Sequence, residues 1–225
     1  MVIWFASGNT HKKMELKEIL SSALPPAMDW DLRIPSDTGI DFSPEETGST
    51  FLQNALIKAA ALYRLLDEKG ILHPEDSIIA DDSGICVDAL DGRPGIYSAR
   101  YCGAQNKSRA NLSDAERNAL LLAELNAVKN NPARTGRYIC AMVLCYNTNR
   151  FFSVQETLEG ELVKTELEAA GKKGFGYDPI FYIPELCRTA AELSTEEKNR
   201  ISHRGKAGKT IAQLLASQIC NKAHV

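Results

Sequence analysis

The sequence predicts an α/β fold, and three observations carry that expectation. Residues 2–6 are an apolar run, Val-Ile-Trp-Phe-Ala, followed by Ser7-Gly8-Asn9 and then by Met14, Leu16, Ile19 and Leu20 at helical spacing. That order reads as strand, turn and helix. A second β-branched run, Ile78-Ile79-Ala80, follows a long amphipathic stretch and reads as another buried strand. Residues 138–146 and 151–155 then form a hairpin pattern around Asn147-Thr148-Asn149. At 225 residues, 44% hydrophobic and 24% charged, the chain can bury a sizeable core. The expectation is one domain over residues 1–225, either a single large unit or two lobes sharing a sheet, between which length does not decide.

Bulk properties remove several function classes. A net charge of −3 lacks the basic surplus that nucleic acid or an acidic membrane surface would need, although a local pocket for a small anion is compatible with it. The six cysteines are scattered without C-x-x-C pairs or ligand-spaced histidines, the pattern of buried thiols in a reducing compartment. The apolar start is too short for a signal peptide or a membrane span, so the cytoplasm is the expected setting.

Along the chain, Ser7, Gly8, Asn9, Thr10, His11 and Lys12 occupy a strand-to-helix junction. Such a junction combines backbone N–H groups with the positive helix end, which suits phosphate, but it is also common in α/β folds without that role. Residues 25–42 are broken by prolines, with one short strand expected over 30–34. The acidic loop Ser43-Pro44-Glu45-Glu46-Thr47-Gly48 leads into a helix over 51–66, where its acids either compensate the helix dipole or supply Glu45 or Glu46 as a second metal ligand, with Lys58 a phosphate contact. Thr50 and Gln53 fit a capping box at its start, and Phe51, Ala55, Leu56, Ala59, Leu62 and Leu66 form its inner stripe. Asn54 and Lys58 stand one turn apart on a different face.

Ile78-Ile79-Ala80-Asp81-Asp82-Ser83-Gly84 is the centre of the reading. Two adjacent carboxylates where a strand leaves the core call for a cation, and Mg²⁺ takes one or two carboxylates with water and phosphate completing its shell. A turn with Asp and Ser bonded to their own backbone fits the same residues. Arg100 suits either a phosphate or an ion pair with an acid such as Asp88. Ser113 and Glu116 open a surface helix through 125, and a third strand is expected over 160–164. In Gly174-Phe175-Gly176-Tyr177-Asp178-Pro179 the flanking glycines let backbone approach a flat ring on which Phe175 can stack; a core-packed turn is the other reading. Ser194 and Glu197 cap a short helix, and Ser202 is expected to cap the last one, whose inner face is Ala207, Ile211, Leu214, Leu215 and Ile219. Lys198, His203 and Arg204 crowd that joint, where positive charge opposes the helix dipole unless an anion or acceptor is near.

Taken together, these segments, with Val87-Asp88-Ala89-Leu90, Pro94-Gly95-Ile96-Tyr97-Ser98-Ala99-Arg100-Tyr101 and Glu197-Lys198-Asn199, closely resemble the RdgB-like inosine triphosphate pyrophosphatases. The resemblance covers nearly the whole chain in order. It implies an elongated mixed β-sheet flanked by helices, with two lobes around a central nucleotide-binding cleft, and a homodimer. It also implies Mg²⁺-dependent hydrolysis of ITP, dITP and XTP to the monophosphate and pyrophosphate, cleansing the nucleotide pool. Carried over by position, Ser7 to Lys12 hold the triphosphate with help from Lys58. Glu45 and Asp82 ligate Mg²⁺, Asp82 takes the proton of the attacking water, and Ser83 contacts substrate. Phe175, Gly176, Tyr177, Asp178, Lys198, His203 and Arg204 enclose the base and sugar, with His203 and Arg204 donating to a purine O6. One position departs from the family pattern: its usual Glu in the T-F-x-E-N-A segment is Gln53 here. A capping role tolerates that exchange and a metal-ligand role does not.

Overall fold

A computed structural model describes residues 1–103, 112–130, 133–147, 149–171 and 175–222, with side chains described as far as residue 217. Of the residues that enter the sequence patterns, Thr148, Gly174 and the side chains of Ile219 and Cys220 lie outside the described residues. The strands are β1 (Val2–Phe5), β2 (Asp31–Arg33), β3 (Ser77–Val87), β4 (Thr135–Asn147), β5 (Arg150–Leu162), β6 (Phe181–Ile183) and β7 (Arg188–Thr189). The helices are α1 (Thr10–Ala23), α2 (Phe51–Glu68), α3 (Asp114–Ala127), α4 (Thr195–Ile201) and α5 (His203–Lys222). The strands form one sheet in the order β2-β1-β3-β4-β5-β6-β7, so the α/β expectation is met by a mixed sheet with helices. The chain divides into two compact units, the first comprising Met1–Asp82, Cys140–Glu156 and His203–Val225, the second Ser83–Ile139 and Thr157–Ser202.

In the first unit β1 runs parallel to both β2 and β3, with Phe5 opposite Ile79. Parallel neighbours need crossover connections, and α1 and α2 supply them. Side chains alternate across the strands, and the two faces have separate cores. Ile3, Phe5, Ile79 and Met142 pack with Leu16 and Leu20 of α1 and Ile211 and Leu215 of α5. Trp4, Ile78, Ala80 and Val143 pack with Ala55, Ala59 and Leu62 of α2. Helices α1 and α5 approach closely at Gly208, where a Cβ would meet Ile19 Cγ2 at 2.8 Å. Met14, expected on the inner face of α1, is instead 62% exposed.

The second unit has its own core, in which Ile85, Val87, Leu121, Leu125, Tyr138, Ile180 and Phe181 are buried together. β6 pairs antiparallel with β5 and β7. The expected third strand at 160–164 does not form separately, because β5 runs on through Leu162. Gly160 makes room for this packing: a Cβ there would lie 2.6 Å from the Phe181 ring. Capping boxes form at Ser113 with Glu116 and at Ser194 with Glu197, as their spacing predicts. Ser202 is the residue at which α4 ends, its N–H donating to the Lys198 carbonyl. Of the described cysteines, Cys140 and Cys145 are buried, Cys86 and Cys102 half-buried and Cys187 exposed, all as free thiols.

Candidate active site

The Asp81-Asp82 pair lies inside a strand. β3 continues from Ser77 to Val87 through both acids, so neither a strand mouth nor a DDSG turn occurs there. β1 ends at Phe5, opposite Ile79, and its last link is the Ala6 N–H to the Ile79 carbonyl at 2.8 Å. The two acids therefore sit just past the carboxyl end of β1, the position at which open parallel sheets bind ligands. Because successive strand residues point to opposite faces, the acids do not form a pair. Asp81 faces α1 and α5 with Ile79, and Asp82 faces α2 with Ala80.

Asp81 is a fully buried anchor for cations. Both of its oxygens accept from Lys12 Nζ at 3.1 Å, and Oδ2 accepts from Arg204 Nε and Nη2 at 3.2 Å. Arg204 donates through Nη1 to Glu15 as well. Burial alone would push the Asp81 carboxyl up, but the charges of Lys12, Arg204 and Lys58 outweigh it and hold the pKa well below the usual range. Burial would likewise lower the pKa of Arg204, and Asp81 and Glu15 more than reverse it.

Asp82 is 7% exposed and meets a donor on each oxygen. Asn54 Nδ2 donates to Oδ2 and Lys58 Nζ to Oδ1, both at 3.1 Å. Here burial prevails over Lys58 and Asn54, and Glu46 adds a like charge, so the Asp82 carboxyl is pushed up. Lys58 also reaches Glu46 Oε1 at 3.0 Å. Its own pKa is raised, since the charges of Asp81, Asp82 and Glu46 exceed the penalty of burial. The acid joined to this group from the loop before α2 is Glu46, whereas Glu45, the expected ligand, is exposed.

Asn54 is the residue that sequence reasoning left without a role. It and Lys58 lie on the buried side of α2 rather than on a separate face, and Asn54 Oδ1 also accepts from the Gly48 N–H at 2.9 Å. The four-residue spacing to Lys58 was the available signal. Gln53 is exposed and turned to the helix start: Thr50 Oγ1 accepts from its N–H at 3.1 Å. Its Oε1 accepts from the Ser49 N–H at 2.7 Å, one residue before the cap expected to receive it.

At the start of α1, Asn9 is the N-cap, its Oδ1 accepting from the Lys12 N–H at 3.1 Å. Ser7 Oγ accepts from the Asn9 N–H at 3.1 Å. Gly8, Thr10 and His11 are exposed at the same turn, and His203 is buried at the first position of α5. All these residues belong to the first unit.

The second unit carries the remaining candidates. Ser83 is half-buried beside Gly84, where a Cβ would lie 2.5 Å from the Gly95 carbonyl oxygen. Ser98 Oγ meanwhile accepts from the Ile85 N–H at 2.9 Å, so two motif segments lock together there. Asp178 is buried and accepts from Lys198 Nζ at 2.6 Å, the Phe175 N–H at 3.0 Å and Tyr138 OH at 3.2 Å. Tyr177 is buried with its hydroxyl donating to the Ser98 carbonyl at 2.8 Å, whereas the Phe175 ring is 41% exposed. Asp88 pairs with Arg137 and Thr135, and Arg100 lies over the Tyr97 ring at 5.3 Å.

The donor set fits a divalent cation. Lys12, Lys58 and Arg204 are already opposed by Glu15, Glu46, Asp81 and Asp82, so this hydrogen-bonded set offers a polyanion no positive surplus. Among the described residues no three His, Cys, Asp or Glu side chains form a protein-only cage. Mg²⁺ does not require one, because it binds through one or two carboxylates and completes its shell with water and phosphate oxygens.

A mixed α/β sheet with buried, ion-paired carboxylates and lysines just past the carboxyl end of β1 defines the class of α/β proteins that carry their ligand sites at strand ends. The chain belongs to the Ham1 family, which it matches over residues 3–214. It is 44% identical over 215 residues to a dITP/XTP pyrophosphatase of Treponema denticola, spanning 96% of this chain and 98% of that one. A dITP/XTP pyrophosphatase of Bacillus subtilis is 37% identical over 210 residues, spanning 93% and 94%. Among solved structures, a HAM1 protein from Coxiella burnetii superposes with a TM-score of 0.79 at 36% identity, covering 96% of this chain and 99% of its own. The Staphylococcus aureus Ham1 protein gives 0.75 at 35% identity, covering 97% and 100%.

Proposed function

We propose that this chain is a nucleoside triphosphate pyrophosphatase that hydrolyses dITP, XTP and ITP to the monophosphate and pyrophosphate, removing non-standard purines from the nucleotide pool. The observation that carries the reading is Asp82, a buried carboxylate held by Asn54 and Lys58 and pushed towards a higher pKa. A base works best when its pKa approaches the operating pH, and a positioned base contributes about 10²–10⁴-fold. Asp82 is assigned that role: it accepts the proton of the attacking water.

Lys58 and Lys12 are assigned to the phosphates. An ammonium has three N–H donors. Lys58 directs two at Glu46 and Asp82 and Lys12 directs two at Asp81, which leaves each a donor for a phosphate oxygen. The start of α1 adds backbone dipoles of the same sign. Asp82 and Glu46 are the residues we assign to Mg²⁺, with Glu46 in place of Glu45. Bound Mg²⁺ supplies neutralisation of phosphoryl charge and a lowered pKa for its water.

Phe175 is assigned to stacking on the purine, with Lys198, His203 and Arg204 at the base and sugar end. Arg204, held by Asp81 and Glu15, is assigned with His203 to the O6 side of the base. A cytoplasmic homodimer completes the reading; the free thiols agree with a reducing compartment, and the dimer rests on the family resemblance. Assay of dITP, XTP, ITP, GTP and ATP, with Mg²⁺ present or chelated, tests the proposal. Pyrophosphate release confined to the first three and lost on chelation is expected. Orthophosphate as the product, or equal rates with ATP, would overturn it.

A further inference from the structure

Helix α3 carries none of the roles assigned to the site, yet it grips the loop that bears Phe175. Gly176 adopts a left-handed backbone, φ 69°, and its peptide groups are held from both sides by α3. The Gly176 N–H donates to Asp114 Oδ2 at 2.8 Å, and the Gly176 carbonyl accepts from Asn118 Nδ2 at 3.1 Å. Asp114 and Asn118 are four residues apart and share one helix face. Asp114 is itself fixed by Arg117, and Arg117 also donates to the Leu112 carbonyl.

Asn118 sits badly for a residue chosen for stability. It is buried at the margin of the apolar face formed by Leu121, Leu122 and Leu125. Its Oδ1 is buried without a partner, a cost that an apolar residue would avoid. The loop is fixed on either side as well, by the Phe175 N–H on Asp178 and the Tyr177 hydroxyl on Ser98. The outcome is a segment held by three backbone hydrogen bonds and one side-chain hydroxyl beneath a ring left 41% exposed. Pinning of this kind lowers the ordering cost of binding.

We infer that Asp114 and Asn118 are positioning residues that pre-orient the Phe175 ring for the base of the substrate. This rests on the stacking role proposed for Phe175. The Asn118→Ala and Asp114→Ala proteins are compared with Phe175→Ala, using dITP and, as a probe without a base, inorganic tripolyphosphate. Each α3 variant is expected to raise KM for dITP roughly five- to tenfold with kcat within about twofold, the size of one lost hydrogen bond. The Ki of tripolyphosphate as a competitor of dITP is expected to stay unchanged. Asp114→Asn keeps an acceptor for the Gly176 N–H and is expected to restore most of the wild-type KM.

Added to Phe175→Ala, Asn118→Ala is expected to have no further effect, since both act through one ring. Equal losses of affinity for dITP and tripolyphosphate, or additive effects in the double variant, would overturn the inference. If Asn118→Ala does not fold, the contrast between Asp114→Ala and Asp114→Asn separates the same outcomes. Should Phe175→Ala leave KM for dITP unchanged, the stacking assignment itself fails. A Phe175 effect without an α3 effect refutes only the positioning role.

Discussion

Replacing Asp82 by Asn separates the chemistry of this position from its structural part. Both carboxylate oxygens face donors, Asn54 Nδ2 and Lys58 Nζ, each at 3.1 Å. An asparagine offers one acceptor oxygen, so its NH₂ must face one of those donors. A buried donor left without an acceptor costs about 1–3 kcal/mol, or roughly 2–12 °C of melting temperature in a chain of this size. At saturating Mg²⁺, which offsets the lost metal contact, loss of the base lowers kcat by about 10²–10⁴-fold, with KM for dITP little changed. The two effects come apart in the swapped pair Asp82→Asn with Asn54→Asp. In the swap, the carboxylate introduced at position 54 can accept from the amide introduced at position 82. It can also keep the Gly48 N–H, which Asn54 holds at 2.9 Å. Thermal unfolding and steady-state pyrophosphate release are measured on the wild type, Asp82→Asn and the swap. The swap is expected to recover most of the melting temperature and almost none of the turnover. Turnover within tenfold of wild type in Asp82→Asn, or restored by the swap, would refute the assignment of the base to this carboxylate.

Asp81→Asn leaves Arg204 and Lys12 short of a buried partner and is expected to cost about 3–5 kcal/mol at pH 7, read by chemical denaturation. Its folded pKa is depressed, so the stability it contributes is fully present above the ordinary value of 3.8 and is lost as pH falls through the folded value. The gap between variant and wild type should therefore close in acid; a gap that widens below pH 3.8 would contradict the sign. Glu46→Gln is expected to weaken Mg²⁺ activation at least tenfold and Gln53→Glu to leave it unchanged, since Gln53 bonds Ser49 at the helix start. The reverse ranking in a Mg²⁺ titration would return the ligand role to position 53. Gly84→Ala places a Cβ 2.5 Å from the Gly95 carbonyl oxygen and is expected to destabilise by about 1–3 kcal/mol in urea unfolding; an unchanged midpoint would show that the 95–98 turn yields.

Local patterns were legible wherever a rule acts over a few residues. The apolar spacing of α2, the caps at Thr50, Ser113 and Ser194, and the strand, turn and helix at the chain start all follow from period and capping chemistry. The strand through Asp81 and Asp82 was not legible, because acids in a strand interior are disfavoured by propensity and are tolerated only with buried partners far away in sequence. Lys12, Lys58 and Arg204 provide them from 69, 24 and 123 residues away. That Glu46 rather than Glu45 meets Lys58 depends on loop conformation, which neighbouring acids do not encode. The pinning of Gly176 joins residues 62 and 58 positions apart, beyond the reach of any local signal.

The alternation of β3 explains why the pKa values of two adjacent aspartates move in opposite directions. On one face Asp81 meets Lys12 and Arg204 and is held fully ionised, well below the usual carboxylate range. On the other, Asp82 meets Lys58, Asn54 and the like charge of Glu46, and burial prevails, moving its pKa upward. Exchanging the two environments would put the strong acid at the reacting face, where it would be a poor base. A single-residue slip of β3 against β1 would make that exchange, since it turns every side chain to the opposite face. Ile78 and Ala80 pack under α2 and Ile79 under α1 and α5, so the same slip would have to repack both apolar cores. The register that buries those residues is therefore also what gives the two carboxylates their separate surroundings.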